Sequence, residues 1–99
     1  MTETTALIIK LIKAIPKGKV LSYGMIARSA GLKNGARQVV RVLHSMSEKH
    51  GLPWHRVIRS DGSIALGSCR GRELQTAMLR HEGVEVSKEG KVGNEFFAH

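Results

Sequence analysis

The sequence has a single cysteine, Cys69, which excludes an internal disulfide and fits a reducing compartment. With one thiol and scattered histidines, no zinc-ligand spacing can be drawn, so neither a metal nor a cofactor is expected. No apolar run approaches the ~20 residues that span a bilayer. The first residues lack the apolar stretch and cleavage site of a signal peptide. There is no internal repeat and no low-complexity segment. Acidic residues are also scarce: eight Asp and Glu stand against sixteen Lys and Arg. What remains is a chain of 99 residues, 41% hydrophobic, the size of one small domain (1–99) with a modest core.

The charge balance is the first positive signal. The net charge is +8, and between Lys10 and Arg72 thirteen basic residues meet only two acids, Glu48 and Asp61. A basic excess of this size in a small domain points to a polyanion, and nucleic acid is the usual one. A membrane surface is the lesser alternative, because no helix combines a basic face with a bulky aromatic one.

Thr4 and Thr5 are N-cap candidates for a first helix. Leu7, Ile8, Leu11, Ile12 and Ile15 lie on one apolar stripe at helical spacing, and Pro16 ends the run. Ser22 caps a short helix over Tyr23–Ala30, closed by Gly31. A turn leads into a longer helix from Ala36 to about Lys49. Val39, Val42, Leu43 and Met46 form its apolar side, and Arg37, Arg41, His44 and Glu48 form another face. Short helix, glycine-bearing turn and second helix with a basic face make a helix-turn-helix pattern.

Asp61-Gly62, set between Val57-Ile58 and Ser63-Ile64, predicts a β-hairpin resembling a wing. Ala65–Gly71 reads as a loop and Arg72–Glu82 as a helix, with Leu74, Ala77, Met78 and His81 on one side. The tail from Val84 to Phe97 reads as a short hairpin around Glu89-Gly90 or as frayed chain. The fold class expected is mainly α, a winged helix-turn-helix-like domain with a small β-hairpin.

The stretch Gly51-Leu52-Pro53-Trp54-His55-Arg56-Val57 is the chemical centre. Pro53 breaks any preceding helix. The only tryptophan follows it, then two polar heads, and the three side chains cannot all point into one core. Pro53–Val57 resembles the Pro-Cys-His-Arg-Val active-site motif of the O6-alkylguanine-DNA alkyltransferases, with Trp54 in the place of the nucleophilic cysteine. That replacement marks the alkyltransferase-like proteins. Four further features agree in order: Gly18-Lys19-Val20 before Ser22-Tyr23-Gly24, Gly35-Ala36-Arg37-Gln38-Val39, Gly67-Ser68, and His81-Glu82-Gly83. The resemblance covers nearly the whole chain and corresponds to the family's C-terminal, DNA-binding domain. One further departure stands out: Ser45–Gly51 has no asparagine, the residue with which the alkyltransferases buttress their active-site turn.

The resemblance implies binding in the minor groove without sequence preference, with the second helix, including Ala36, Arg37 and Arg41, against the DNA. Arg37 would fill the gap left by a base flipped from the stack, a step that costs a few kcal/mol. Tyr23 would press the rotated phosphate or the flipped nucleotide. From the residues alone, Arg37 reads equally as a solvated helix-start arginine, and Tyr23 as packing behind a cap. The implied lesion pocket comprises Tyr23, Trp54, His55, Arg56, Ser68 and Glu82. Trp54 would be an apolar wall, Ser68 a donor to the base's O6, and Arg56 an anchor for the bend. His55 and Glu82 read equally as a structural hydrogen bond or as binding groups.

An indole cannot accept the alkyl group, so the expectation is a non-enzymatic sensor. It would be a monomer that holds O6-alkylguanine in duplex DNA and flags it for nucleotide excision repair proteins. It would work in the cytoplasm (nucleoid) of a bacterium or the nucleus of a eukaryote. Two readings compete. One is an enzyme, either an alkyltransferase using Cys69 or a base hydrolase using His55, Glu82 and water. The other is a winged-helix transcription regulator, which would need base-edge contacts and usually a dimer interface.

Overall fold

A computed structural model describes residues 3–33, 35–64 and 69–98. The order is α1 (Glu3–Lys13), β1 (Leu21–Ser22), α2 (Tyr23–Ser29), α3 (Ala36–His50), a 3₁₀ turn at Trp54–Arg56, β2 (Val57–Ile58), α4 (Cys69–His81) and a second 3₁₀ turn at Asn94–Phe96. The fold is mainly α, as the hydrophobic periodicity predicts.

The polarity of α1 suits its dipole, with Glu3 in the first turn and Lys10 and Lys13 in the last. It starts at Glu3, so Thr4 and Thr5 lie inside the helix and do not cap it. Its buried side is Ile8, Ile9 and Ile12, while Leu7 is 37% exposed. The predicted stripe is therefore rotated: Ile9 takes the inward place assigned to Leu7. Ser22 caps α2 by accepting from the Met25 N–H at 3.1 Å. α3 packs on α2 across the connecting turn, and buries Val39 and Val42. It ends at Gly51, whose φ of 60° and ψ of 40° place it in the left-handed region that favours glycine. The chain can then reverse into Pro53 and the 3₁₀ turn.

Two apolar clusters form the core. The first joins α1, α2 and α3 with Leu52 and Val57. The second gathers Val20, Ile58, Ile64, Leu79, Val84, Val86, Val92 and Phe97. β1 and β2 form the seam between them, paired in parallel with Leu21 opposite Val57 and Ser22 opposite Ile58. Successive strand residues face opposite sides, so Val57 enters the first cluster and Ile58 the second.

This pairing corrects the expected wing. Val57-Ile58 does not form a ladder with Ser63-Ile64. The Asp61-Gly62 turn is present, with Gly62 N–H donating to the Arg59 carbonyl at 2.9 Å and Arg59 N–H to the Ser63 carbonyl at 3.0 Å. Ser63 then bridges antiparallel to Lys91. Both β2 residues are fully buried, and a strand covered on both faces sits inside a fold, as parallel strands do. The small hairpin lies in the tail, where Val86 bridges antiparallel to Val92, and Ser87 N–H donates to the Lys91 carbonyl at 2.9 Å.

α4 is the other correction. It starts at Cys69, inside the stretch expected to be loop; positions 65–68 of that stretch lie outside the described residues. Among its residues whose burial is described, Gln75 and Leu79 are buried, whereas Leu74 is 54% exposed. A pattern that counts apolar residues picks Leu74 and Met78. The true inward face carries a glutamine, and its amide is matched to the backbone of the central turn.

Candidate nucleic-acid interface

The 3₁₀ turn governs the site. At three residues per turn, consecutive side chains diverge by about 120°, and the three side chains are divided between two concavities. Trp54 goes to one side. With Tyr23, Val40, Leu43, His44 and Gln75 it lines a cavity of about 160 Å³. His55 and Arg56 go to the other side and converge on Glu82.

Glu82 follows α4, and its carboxylate is met by three residues from two segments. His55 Nε2 lies 2.9 Å from Oε2. Arg56 makes a forked contact, Nε to Oε1 at 3.0 Å and Nη2 to Oε2 at 2.7 Å. The Gly18 N–H donates to Oε1 at 3.3 Å. Arg56 Nη1 reaches further, to the Ile15 carbonyl at 2.8 Å. The side chains of His55 and Glu82 are 8% and 9% exposed. The hydrogen bonds from Arg56, with smaller help from His55 and Gly18, hold the Glu82 carboxyl at about 2, against an ordinary 4.5. The carboxylate is therefore ionised and can only accept, so His55 Nε2 carries a proton. The other ring nitrogen, Nδ1, is buried with no hydrogen-bond partner among the described residues. The His55 ring stands edge-on to Trp54, centroids 6.2 Å apart at 86°.

The turn is buttressed from α4. Gln75 Nε2 donates to the carbonyls of His55 and Val57, each at 3.1 Å. The missing asparagine in Ser45–Gly51 thus leaves no slack: a glutamine from a different element holds the same turn.

On α3, Arg37, Arg41 and His44 are all exposed. They recur at i, i+4 and i+7 with Val40 at i+3, so they share one face. Val40 is 47% exposed and, with Leu43 and His44, also lines the Trp54 cavity. The cavity therefore opens beside the basic face. Ala36, at the start of α3, is exposed on the approach to that face. Burial raises the Tyr23 phenol's pKa, with Arg59 pulling weakly the other way, so it stays a neutral donor at pH 7.

The site expected from sequence is thus divided. Tyr23 and Trp54 come together at the cavity. His55, Arg56 and Glu82 form the ion-pair cluster, which borders a separate concavity of about 470 Å³ with Lys17, Ala77, Met78 and His81. Ser68 lies outside the described residues, and so does the side chain of Cys69.

Comparison with known proteins then fixes the family. The sequence pattern of the 6-O-methylguanine DNA methyltransferase DNA-binding domain matches residues 3–84. The chain belongs to this family. It is 45% identical over 94 residues to a DNA base-flipping protein of Vibrio parahaemolyticus, covering 93% of this chain and 91% of that one. It is 42% identical over 73 residues to alkyltransferase-like protein 1 of Schizosaccharomyces pombe, covering 73% and 68% of the two chains. Its fold superimposes with a TM-score of 0.88 on S. pombe Atl1 crystallised in complex with damaged DNA containing O6-carboxymethylguanine. That match has 34% identity and covers all (100%) of this chain and 97% of that one.

Within this family domain, sequence reasoning missed four cavity residues: Val40, Leu43, His44 and Gln75. Leu43 and His44 are read from sequence only as parts of a helix face, and Val40 and Gln75 carry no signal at all. Their shared role needed the position of Trp54, which no helical period encodes. Among the described residues no group of three or more His, Cys, Asp or Glu could hold a metal ion.

Proposed function

We propose that this protein is a non-enzymatic DNA-damage sensor. It binds duplex DNA through the minor groove with the exposed face of α3, rotates an O6-alkylguanine out of the stack, and holds it between Tyr23 and Trp54. The observation that carries the reading is the cavity lined by Tyr23 and Trp54, opening beside Arg37, Arg41 and His44. A basic face supplies sequence-independent affinity through phosphate neutralisation. An apolar cavity next to it gives an extruded base somewhere to go. The names of the relatives, a base-flipping protein and an alkyltransferase-like protein seen on damaged DNA, support the same reading.

Trp54 makes the outcome binding and not transfer. Displacement at an O6-alkyl carbon needs a nucleophile with a free electron pair. The indole nitrogen's pair belongs to its ring system, so no bond to the alkyl group forms and the lesion stays intact. The held, distorted duplex then serves as a flag, for which nucleotide excision repair proteins are the proposed readers. Arg37 fills the vacated position in the stack with its planar guanidinium.

Two matched duplexes, one with guanine and one with O6-methylguanine, test the reading at stated salt. Tighter binding of the alkylated duplex, little effect of flanking sequence, and an unchanged intact-protein mass after incubation are expected. Equal affinity for both duplexes would overturn the sensor. A gain of one methyl on the protein, or loss of the methyl from the DNA, would show an enzyme.

A further inference from the structure

The concavity of about 470 Å³ lies on the other side of the 3₁₀ turn from Trp54. His55, Arg56 and Glu82 line it from within, and the exposed Lys17, Ala77 and His81 line it toward solvent. It shares no lining residue with the Trp54 cavity, so filling one leaves the other open.

Two properties decide what fits there. The first is apolar surface. Leu74, Ala77, Met78 and His81 recur at i, i+3, i+4 and i+7 on α4, so they share one side of the helix. Leu74 is 54% exposed, Ala77 and His81 are exposed, and Met78 is half-buried. This is the spacing at which a helix face receives the anchors of an amphipathic partner. The second property is charge. Glu82 is the one acid among the lining residues, and His55 and Arg56 already meet its carboxylate. Lys17 has no such acid opposite it. Lys10 and Lys13, in the last turn of the helix that leads to Lys17, are exposed as well. Cations beside an apolar helix face complement an acidic segment with apolar anchors. Nucleic acid suits the face less, because phosphates gain nothing from Leu74, Ala77 and Met78. A second copy suits it less too, because each copy carries a net charge of +8 and like charges repel.

We propose that this side of α4, together with Lys17, docks an acidic amphipathic segment of another protein, the repair protein that reads the held lesion. This rests on the protein acting as a flag. DNA lies against α3 and the partner against α4, so one molecule holds both at once. A single three-residue turn separates them: Trp54 lines the lesion side, and His55 and Arg56 line the partner side.

The probe is a fluorescein-labelled acidic helical peptide with leucine at i, i+3, i+4 and i+7. It is titrated into the protein already saturated with an O6-methylguanine duplex. It should bind at least about tenfold more tightly than a scrambled peptide of the same composition, with the duplex still in place. Leu74→Gln with Ala77→Gln strips the apolar face at two exposed positions without changing charge. That variant should bind the peptide at least about tenfold more weakly, while its affinity for the duplex moves by less than about twofold. Lys17→Gln should flatten the salt dependence of peptide binding. In the wild-type complex, which needs no variant to fold, the peptide should shift the amide NMR signals of Lys17, Ala77 and His81 and leave those of Arg37 and Arg41 in place. Equal binding of the scrambled peptide, exchange of peptide against duplex, or shifts confined to Arg37 and Arg41 would show general attraction to the basic surface and overturn the docking face. Peptide affinity unmoved by the Leu74 and Ala77 changes would overturn it as well. A dimer of the wild type in sedimentation, abolished by the same two changes, would overturn the partner and give the face to a second copy. Equal affinity for guanine and O6-methylguanine duplexes, with peptide binding intact, would overturn the flag and leave the docking face standing.

Discussion

Glu82→Gln separates the structural work of the ion-pair cluster from everything else in the fold. Glutamine keeps the size of the side chain and one carbonyl oxygen. That oxygen can still accept from Arg56 Nε and Gly18, the partners of Oε1 at 3.0 and 3.3 Å. The new NH₂ then faces Arg56 Nη2 and His55 Nε2–H, which lay 2.7 and 2.9 Å from Oε2, donor against donor. Two charge-assisted bonds are lost and Arg56 is left without its counter-charge. Removing one partner of a buried pair costs about 3–5 kcal/mol. The gap between a carboxyl at 4.5 and one at about 2 gives about 3 kcal/mol, at 1.36 per pH unit. Some solvent reaches Arg56, whose side chain is 17% exposed, so the lower figure is the better one, about 3 kcal/mol at pH 7.

The pH dependence makes this prediction specific. The folded-state pKa of Glu82 is depressed, so its contribution is complete above about 4.5 and is lost as pH falls toward about 2. Other carboxylates titrate alike in both proteins and cancel in the difference. Urea unfolding followed by Trp54 fluorescence should show a wild-type advantage of about 3 kcal/mol at pH 7 and pH 6. It should shrink between pH 4.5 and 2 and be nearly gone at the acid end. A difference under about 1 kcal/mol at pH 7, or one that stays constant down to pH 2, would refute the reasoning.

Arg37→Ala should leave stability within about 0.5 kcal/mol, because the side chain is exposed. It should lower the fluorescence of a 2-aminopurine beside the lesion more than it lowers overall affinity; an unchanged signal would make Arg37 a plain surface charge. Gly62→Ala should destabilise by well over about 1 kcal/mol in thermal melts. The residue has a φ of +88°, and an added Cβ would meet the Val92 carbonyl oxygen at 2.5 Å. A melting temperature unmoved by this change would show that the Asp61-Gly62 turn can relax away from the tail.

The local elements were legible because their signals are local. Ser22 beside an apolar repeat is a cap, and Pro16 is a stop. Val39 and Val42 at i and i+3 are a helix face. The parallel pairing of β1 and β2 was not legible, since it joins positions 21 and 57 and no neighbouring residue encodes that register. A hairpin around Asp61-Gly62 was the local optimum, and burial of Ile58 in a distant cluster overrode it. In the site, motif resemblance grouped Tyr23, Trp54, His55, Arg56, Ser68 and Glu82 as one pocket. The 3₁₀ geometry of Trp54–Arg56 divides them, and a dihedral preference cannot be read from residue identity. Gln75 was hidden for a simpler reason. A polar residue in a helix reads as surface unless one knows which backbone carbonyls its amide must satisfy.

The short segment 20–22 has a consequence for how the chain reaches its native state. Val20 gives its N–H to Phe96 at 2.8 Å and takes the Ala98 N–H at 2.9 Å, while Leu21 and Ser22 pair with Val57 and Ile58. α1, α2 and α3 contact one another over short sequence separations, and can assemble as soon as they are synthesised. The seam cannot, because the bridge from Val20 to Phe97 spans 77 positions (20 to 97). Closing so long a loop carries an entropic cost that nearby contacts do not offset until residues 96–98 are available. The early helices should therefore form a waiting subdomain whose Val20 and Ile58 remain uncovered. The native state should become cooperative only when Phe97 docks. A chain cut ahead of Phe97 would lose both the bridge to Val20 and the last side of the second core.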